Sequence, residues 1–568
     1  MNKQLVQTEA ETRVSAGEAI LRSLKLNGVD KLFINPGSDF APVIEALAAV
    51  DSDEIPEAIP AAHENVVVSM AHGYFLATGK MQAAAVHVNV GLANAVMGLL
   101  NAHSDNVPIF TISGRNPLTE GSRMGSRHTP IQYGQEMFDQ TALVREVVKW
   151  DYELRYAENA ADLVSRGCSV ARMEPHGSVY MSLPREPLCE LTDKPDNPTQ
   201  VPPSVTFPDP AAITECAKKL ASAKNPLIIC SRGDSLGEVS AEIQAIAKEN
   251  SIAVSEVYVT RNVLPTNFSN GVGGNVVAHL PEADVVLVVD ASVAWIETKT
   301  HPAADAEVIH LGPDPLFTRI PVRGYKTTQA IQCNTVAGLK ALRAALPGRV
   351  NPSRQSQIEV KHDSFRKSID AKANAGQHGL ANKPWIAKCI SDVLDGGTVF
   401  SERGGPFSLF RVDNPNQWFG NTQAGGLGWA LPAALGYQLA NRDKLTVCVV
   451  GDGSYMFANP MACHQVAAAQ RLPLLTVILN NGSWDAVRIS TLDVYPDGAA
   501  SRANHVPTVP FMPTPEFGDI AAASGCYSET VNRAEDLPGA MERALKVIRE
   551  ERRQVVLDVK IGMDDGVK

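Results

Sequence analysis

Short, nearly continuous apolar runs punctuate this chain, and helix-length segments of mixed polarity lie between them. In the first third the runs fall in "DKLFINPGS", "AAAVHVNV" and "VPIFTISGR", with "FAPVIEALAAV" between the first two. The middle third gives "NPLIICSRG", "ADVVLVVDAS" and "AEVIHLGPDP", and the last third "GGTVFSERGG", "KLTVCVVGDGS" and "QVVLDVKIG". A strand with one wet face alternates apolar and polar residues. These runs do not alternate, so they predict strands buried on both faces. Segments such as "EVSAEIQAIAKEN" and "GWALPAALGYQLA" separate them with helical spacing. The pattern predicts an α/β chain of three doubly wound parallel-sheet domains.

Two polar, proline-rich stretches break the alternation: "LTDKPDNPTQVPPSVTFPDP" (191–210) and "LPGRVNPSRQSQIEVKHDS" (346–364). Proline restricts its own backbone and that of its predecessor, so both are expected to be irregular. They divide the chain into expected domains 1–190, 200–350 and 370–568, a number that 568 residues accommodates. The first and last blocks look alike at this level, although no residue-level repeat joins them.

Charge narrows the function. The net charge is −11, with 51 Lys and Arg against 62 Asp and Glu and no basic block, so a nucleic-acid or membrane-surface role has no electrostatic support. Nine cysteines occur singly with no C-x-x-C pair, as expected of reduced thiols in a cytoplasmic protein. "MNKQLVQTEAETRVSAGEAILRSL" lacks the apolar centre of a signal peptide, and no apolar run is long enough to predict a transmembrane helix.

Chemistry concentrates in "VVGDGSYMFANPMACHQVAAAQRLPLLTVILNNGSWDAVR" (449–488). The strand "LTVCVV" ends at Asp452, and the strand "LPLLTVIL" ends at Asn480 and Asn481. Between them Asn459 is expected to cap a helix that Pro460 opens. Neighbouring parallel strands would bring Asp452 and Asn481 to one edge, where open α/β sheets bind ligands. Both offer hard oxygen donors for Mg²⁺ or Ca²⁺, and the N–H groups of Gly451 and Gly453 suit phosphate. An Asp in this position can be a helix cap, a ribose acceptor or a metal ligand. There is no G-x-x-x-x-G-K-[ST], so the turn is not a P-loop.

GDG, a helix and strand, then NN resembles the signature of thiamine-diphosphate enzymes, of the benzoylformate decarboxylase and acetolactate synthase (pyruvate decarboxylase-like) family. The resemblance implies that Asp452, Asn481 and the Ser483 carbonyl hold Mg²⁺ on the cofactor's diphosphate, with Gly451, Gly453 and Ser454 beside it. "AAHENVVVSMAHGYFLATGK" (61–80) resembles the family's catalytic-glutamate segment. Glu64 would then hydrogen-bond the aminopyrimidine, with Val66, Val67 and Val68 giving apolar surroundings that help it share a proton. A first-turn acid is also favourable simply as a helix terminus. "AGGLGWALPAALGYQLA" (424–440) resembles the cofactor-clamping strip, in which Gly425 supplies a carbonyl and Leu427 a wedge, unless Leu427 is merely a core leucine. "SERGGP" (401–406) nominates Gly404 and Gly405 for the diphosphate. The implied domains are pyrimidine-binding, middle and diphosphate-binding. The family's cofactor sits between two subunits, so a dimer is the minimum and a tetramer is expected.

The branch is less sharply marked. "FINPGSDFAPVIEAL" resembles the start of benzoylformate decarboxylases and nominates Ser38 for the substrate carboxylate, or else as a helix N-cap. Of that branch's two proton-relay histidines, one falls near Val88 and Asn89, with His87 out of register, and the other at or beside Glu297; His63 and His128 stand as replacements. Gln135 in "QYGQEMFDQ" resembles the active-site glutamine of acetolactate synthases, whereas PGS and VNVG depart from that branch. "GVGGNV" (271–276) lacks the last glycine of G-x-G-x-x-G, so FAD is unsupported and an NAD-dependent oxidoreductase has no fingerprint. The expected activity is decarboxylation of a 2-oxo acid to an aldehyde through an enamine. A carboligase forming acyloins is the alternative, and a catalytically silent binding subunit is a third reading.

Overall fold

The structure, a computed structural model, describes residues 12–563. By contact density these fall into two compact units: the chain up to Ser204 together with Thr422–Asn441, and Val205–Asn421 together with the chain from Arg442.

The first unit is built on a six-stranded parallel sheet. Its strands lie in the order Glu57–Pro60, Lys31–Asn35, Gln82–Val86, Ile109–Arg115, Val179–Pro184 and Asp151–Glu153. The four central-most are buried throughout or nearly so, as their unbroken apolar runs predict. The winding reverses between Lys31–Asn35 and Gln82–Val86, whose ends Asn35 and Val86 are register partners. The helices Glu64–Thr78 and Ala430–Ala440 cross at backbone contact. A Cβ on Gly73 would stand 1.8 Å from the Ala433 carbonyl oxygen, and one on Gly436 would stand 2.0 Å from that of Met70.

The second unit carries two parallel sheets. The smaller runs Ala253–Glu256, Pro226–Cys230, Val285–Val289, Glu307–Gly312 and Gln329–Gln332. The larger runs Trp418–Gly420, Thr398–Glu402, Thr446–Gly451, Leu475–Asn480, Val555–Lys560 and Tyr527–Val531. Counted in chain order within the sheet, this larger sheet has the spatial order 2-1-3-4-6-5, and so has the sheet of the first unit. The likeness of the first and last blocks is therefore one of topology. Here the winding reverses between Thr398–Glu402 and Thr446–Gly451, which delivers the SERGGP turn and Asp452 to one rim.

The second proline-rich stretch is not irregular. A 24-residue helix, Pro352–Ala375, runs through it. Pro352 sits in the first turn, where its missing N–H loses nothing, and the Asn351 side chain accepts from the Arg354 N–H. The proline marks a helix start, not a break. In the first stretch, the short strand Leu191–Asp193 gives way to irregular chain until Asp209 caps the helix Pro210–Ser222. Asn459 also departs from expectation: it takes a left-handed backbone (φ 54°), and its side chain makes no capping bond before Pro460–Gln470.

Candidate functional site

At the reversal point of the first sheet, Glu64 opens its helix and is 8% exposed. Its Oε1 accepts from the Asn35 amide at 2.9 Å and its Oε2 from the Asn94 amide at 3.1 Å. The setting is thus polar, not the apolar one expected. Val66, Val67 and Val68 are fully buried, but they lie further along the helix, while the carboxylate reaches back over the sheet rim. Gly91 makes room for it, since a Cβ there would stand 3.0 Å from Oε1. His63 caps the same helix, its Nδ1 accepting from the Asn65 N–H at 3.1 Å.

One strand over, Gln82–Val86 ends immediately before His87. The His87 Nδ1 lies 2.5 Å from Asp39 Oδ1, and Asp39 Oδ2 accepts from the Val88 N–H at 3.2 Å. That bond holds Val88 at φ 26°, an uncommon conformation for a β-branched residue. Two glycines admit the pair. A Cβ on Gly114 would fall 1.6 Å from Asp39 Oδ2, and one on Gly37 would fall 1.9 Å from His87 Nδ1. The hydrogen bond to Asp39 raises the His87 pKa, against burial, with the charges of Asp39 and Glu64 adding to the rise. On the other side, the Gln135 amide nitrogen lies 3.4 Å from His87 Nε2. The fold therefore gathers Glu64, His87 and Gln135.

Ser38 starts a short 3-10 turn beside this group. It is not a helix cap: Gly37 takes that place and no side-chain cap bond is made. Its carbonyl faces Arg185 Nη1 at 3.5 Å, and another nitrogen of Arg185 donates to His128 Nδ1 at 2.9 Å.

The strip before Ala430–Ala440 belongs to the same unit. Asn101 clamps it, donating to the Gly426 carbonyl at 3.0 Å while accepting from Thr422 Oγ1 at 2.9 Å and the Gly426 N–H at 3.2 Å. Asn65, next to Glu64, donates to the Gly428 carbonyl at 3.3 Å. Gly425 has φ 70° with open space around it, and Leu427 is half-buried, outside the packed core.

In the second unit, Asp452 begins a six-residue helix, Asp452–Phe457, and is 4% exposed. Its Oδ1 accepts from the Gly453 N–H at 2.7 Å and its Oδ2 from the Gly482 N–H at 2.8 Å. Burial pushes the Asp452 pKa up, and the surrounding backbone N–H groups pull it down. No ion pair reaches this carboxylate among the described residues. Asn481 Oδ1 accepts from the Ser483 N–H at 3.0 Å, and the buried Ser483 Oγ has no partner among the described residues. Asn480 turns inward instead, donating to Asp558 at 3.0 Å. The two asparagines thus divide their work: one braces the sheet and the other faces the rim. Tyr455 fixes the short helix through a 2.7 Å bond to His464 Nε2, whose Nδ1 meets Gln554 at 2.9 Å.

The glycines here are close-approach positions. A Cβ on Gly453 would enter the Trp484 ring at 2.2 Å, and one on Gly404 would lie 2.5 Å from Val449. Gly405 has φ 114°, with its carbonyl held by Ser401 Oγ at 2.9 Å. Gly451 and the buried Ser454 complete the turn. No cluster of three or more His, Cys, Asp or Glu side chains forms among the described residues. A cation at this rim must instead take one carboxylate plus amide and carbonyl oxygens, the hard donors that suit Mg²⁺. A buried carboxylate met only by N–H groups fits that need for positive charge.

Asn35, Asp39, His87 and Asn94 were not picked out as site residues from the sequence. The usable signal was that Asn35, Asp39 and His87 end, or closely follow, strands at the point where the winding reverses. Glu297 accepts from the Trp295 indole at 2.7 Å. In "GVGGNV", a Cβ on Gly273 would meet the Phe365 ring at 2.6 Å and one on Gly274 the Glu256 carbonyl at 2.7 Å, so packing takes up these glycines.

Two family models match the chain. Residues 14–143 match the thiamine pyrophosphate enzyme N-terminal TPP binding domain, and residues 405–559 match the C-terminal TPP binding domain. The chain is a thiamine pyrophosphate enzyme. The first match contains Glu64 and His87, and the second contains Asp452 and Asn481. This enzyme is related to acetolactate synthases and to benzoylformate decarboxylases. It is 22% identical over 583 residues to an acetolactate synthase of Mycobacterium bovis, covering 98% of this chain and 89% of that one. It is 24% identical over 552 residues to a benzoylformate decarboxylase of Pseudomonas aeruginosa, covering 93% and 96%. Its fold is shared with a putative thiamin diphosphate-dependent enzyme from Mycobacterium smegmatis, with a TM-score of 0.77 at 21% identity over 97% and 100% of the chains. The 4-hydroxybenzoylformate decarboxylase of Rhodococcus jostii RHA1 gives 0.77 at 20% identity over the same shares. No helix among the described residues is long and apolar enough to cross a membrane, and the nine cysteines form no disulfide among the described residues.

Proposed function

We propose that this thiamine pyrophosphate enzyme is a lyase that decarboxylates a 2-oxo acid to an aldehyde. The observation that carries this reading is the Asp39–His87 pair beside Glu64 and Gln135, a set able to hold and deliver protons at one sheet rim. When bound, thiamine diphosphate supplies the carbon nucleophile and electron sink that release CO₂. Asp452, Asn481 Oδ1 and the Ser483 carbonyl would hold Mg²⁺. The backbones of Gly404, Gly405, Gly451, Gly453 and Ser454 would receive the diphosphate, and Gly425 and Leu427 would clamp the rings. Glu64, held by the Asn35 and Asn94 amides, would hydrogen-bond the aminopyrimidine and exchange a proton with it. Asp39 fixes one hydrogen on His87 Nδ1 and favours the protonated ring, whose Nε2–H can then be given to the carbon that CO₂ has left. Ser38 is assigned to the substrate carboxylate, and His63 to supporting the start of the Glu64 helix.

A carboligase is the second reading, favoured by the Gln135 amide on His87, which can orient an acceptor carbonyl. We also assign residues 1–190, 200–350 and 370–568 to the pyrimidine-binding, middle and diphosphate-binding domains. A homodimer or homotetramer in the cytoplasm is the assembly that fits the family. Exposed Val90 and Leu100 in the first unit, and Met456, Phe457 and Met461 in the second, support it as surfaces for a second copy. The experiment is to load the enzyme with thiamine diphosphate and Mg²⁺ and supply aromatic, branched and short 2-oxo acids. CO₂ with aldehyde is expected. Acyloin as the main product would move the assignment to the carboligase, and no CO₂ from any acid would end it.

A further inference from the structure

The segment between Ile109–Arg115 and Gln140 folds around Arg185, which is 5% exposed. Arg185 donates to the Gly125 carbonyl at 2.7 Å, to the Ser126 carbonyl at 2.9 Å and to His128 Nδ1 at 2.9 Å. It pairs with no carboxylate among the described residues. A guanidinium has only donors to offer, so His128 Nδ1 must present its lone pair, and the ring hydrogen sits on Nε2. His128 is therefore locked as a donor at Nε2, and that atom has no partner among the described residues. The ring lines a shallow, largely open cavity with Arg127, Thr129, Pro130 and Tyr133. The charge of Arg127 is already met by Glu136, and its guanidinium lies 4.7 Å from the centre of the Tyr133 ring. That leaves the His128 N–H, with the hydroxyls of Thr129 and Tyr133, as the polar groups awaiting a ligand. Two contacts link this cavity to the proton-handling group. Gln135, two residues beyond Tyr133, reaches His87, and Arg185 ties His128 to the Ser38 carbonyl.

Resting on the decarboxylase reading, we infer that this cavity receives the side chain of the substrate, and that His128 selects a 2-oxo acid bearing an oxygen acceptor at its far end. A site built to hydrogen-bond a substrate group discriminates against the analogue lacking it more strongly than an apolar pocket does, because its own donor is left unmet. The test uses the holoenzyme with thiamine diphosphate and Mg²⁺ and the matched pair 4-hydroxybenzoylformate and benzoylformate. The native enzyme should favour the hydroxylated acid by about tenfold in kcat/KM. His128→Phe should abolish the preference, and His128→Gln, which keeps an N–H donor, should retain most of it. Near-ultraviolet circular dichroism of cofactor capture, unchanged in both variants, confirms that they fold. Calorimetric binding of 4-hydroxybenzoate and benzoate to native and variant holoenzyme reads the same preference without turnover. A chain that decarboxylates neither acid would therefore sink the activity while the binding arm still decides the pocket. Equal preference for the pair in the native enzyme, or a preference that survives His128→Phe, would overturn the inference.

Discussion

The contact between the Glu64–Thr78 and Ala430–Ala440 helices leaves no room for one methyl group. A Cβ on Gly436 would stand 2.0 Å from the Met70 oxygen and 2.7 Å from its carbonyl carbon, where ordinary contact begins at 3.4 Å. Both facing atoms belong to backbone, so no side chain can rotate away. In Gly436→Ala the helices must part by about 1.4 Å or bend. Overpacking of this kind costs about 1–3 kcal/mol, and with rigid backbone on both sides the upper end applies. For a unit of this size, about 3 kcal/mol lowers its Tm by about 6–12 °C. The assay is differential scanning calorimetry, following the transition of the first unit, with Gly121→Ala as control because nothing lies within 4 Å of its Cβ position. Parting the helices also strains the Asn65–Gly428 bond, so cofactor capture should weaken along with Tm. A Gly436→Ala protein melting within about 2 °C of the native one would refute the claim that this crossing is fixed by backbone contact.

Other changes probe the site and its linkage to pH. Glu64→Gln should keep cofactor binding and lose most turnover, measured as CO₂ release. With two amide donors facing it, the new side chain can accept from only one. Asp452→Ala should weaken Mg²⁺-dependent capture of thiamine diphosphate at least tenfold, read from the fluorescence of Trp484, which packs on Gly453. His87 should titrate above the ordinary 6.5 by NMR, and Asp39→Asn should bring it down. Because its folded value is raised, the stability from that pair is complete below 6.5 and fades as pH climbs through the raised value. Glu256 is buried, with its carboxylate on the Val263 and Leu264 N–H groups, and burial pushes its pKa up to about 8. The unfolded chain releases this proton from 4.5 upward, so stability should fall between 4.5 and about 8, and Glu256→Gln should flatten that slope in calorimetry.

The sequence by itself settled what depends on local pattern and on residue type. Unbroken apolar runs marked strands buried on both faces, and GDG followed by NN placed an acid and an amide at the ends of adjacent strands. What it could not supply was direction in space. The proline at 352 read as an interruption, yet it opens a 24-residue helix because Asn351 caps it, a choice made by neighbouring bonds. The three valines after Glu64 suggested an apolar setting. The carboxylate instead meets amides from Asn35 and Asn94, which lie on other elements. His87 counted as out of register along the chain, but register matters less than where a strand stops. Strand Gln82–Val86 ends one residue earlier, and only the pairing of that strand with Lys31–Asn35 sets the imidazole against Asp39 beside the acid. Motifs fix which groups are available. Sheet order and helix packing, which join residues far apart in the chain, decide which of them meet.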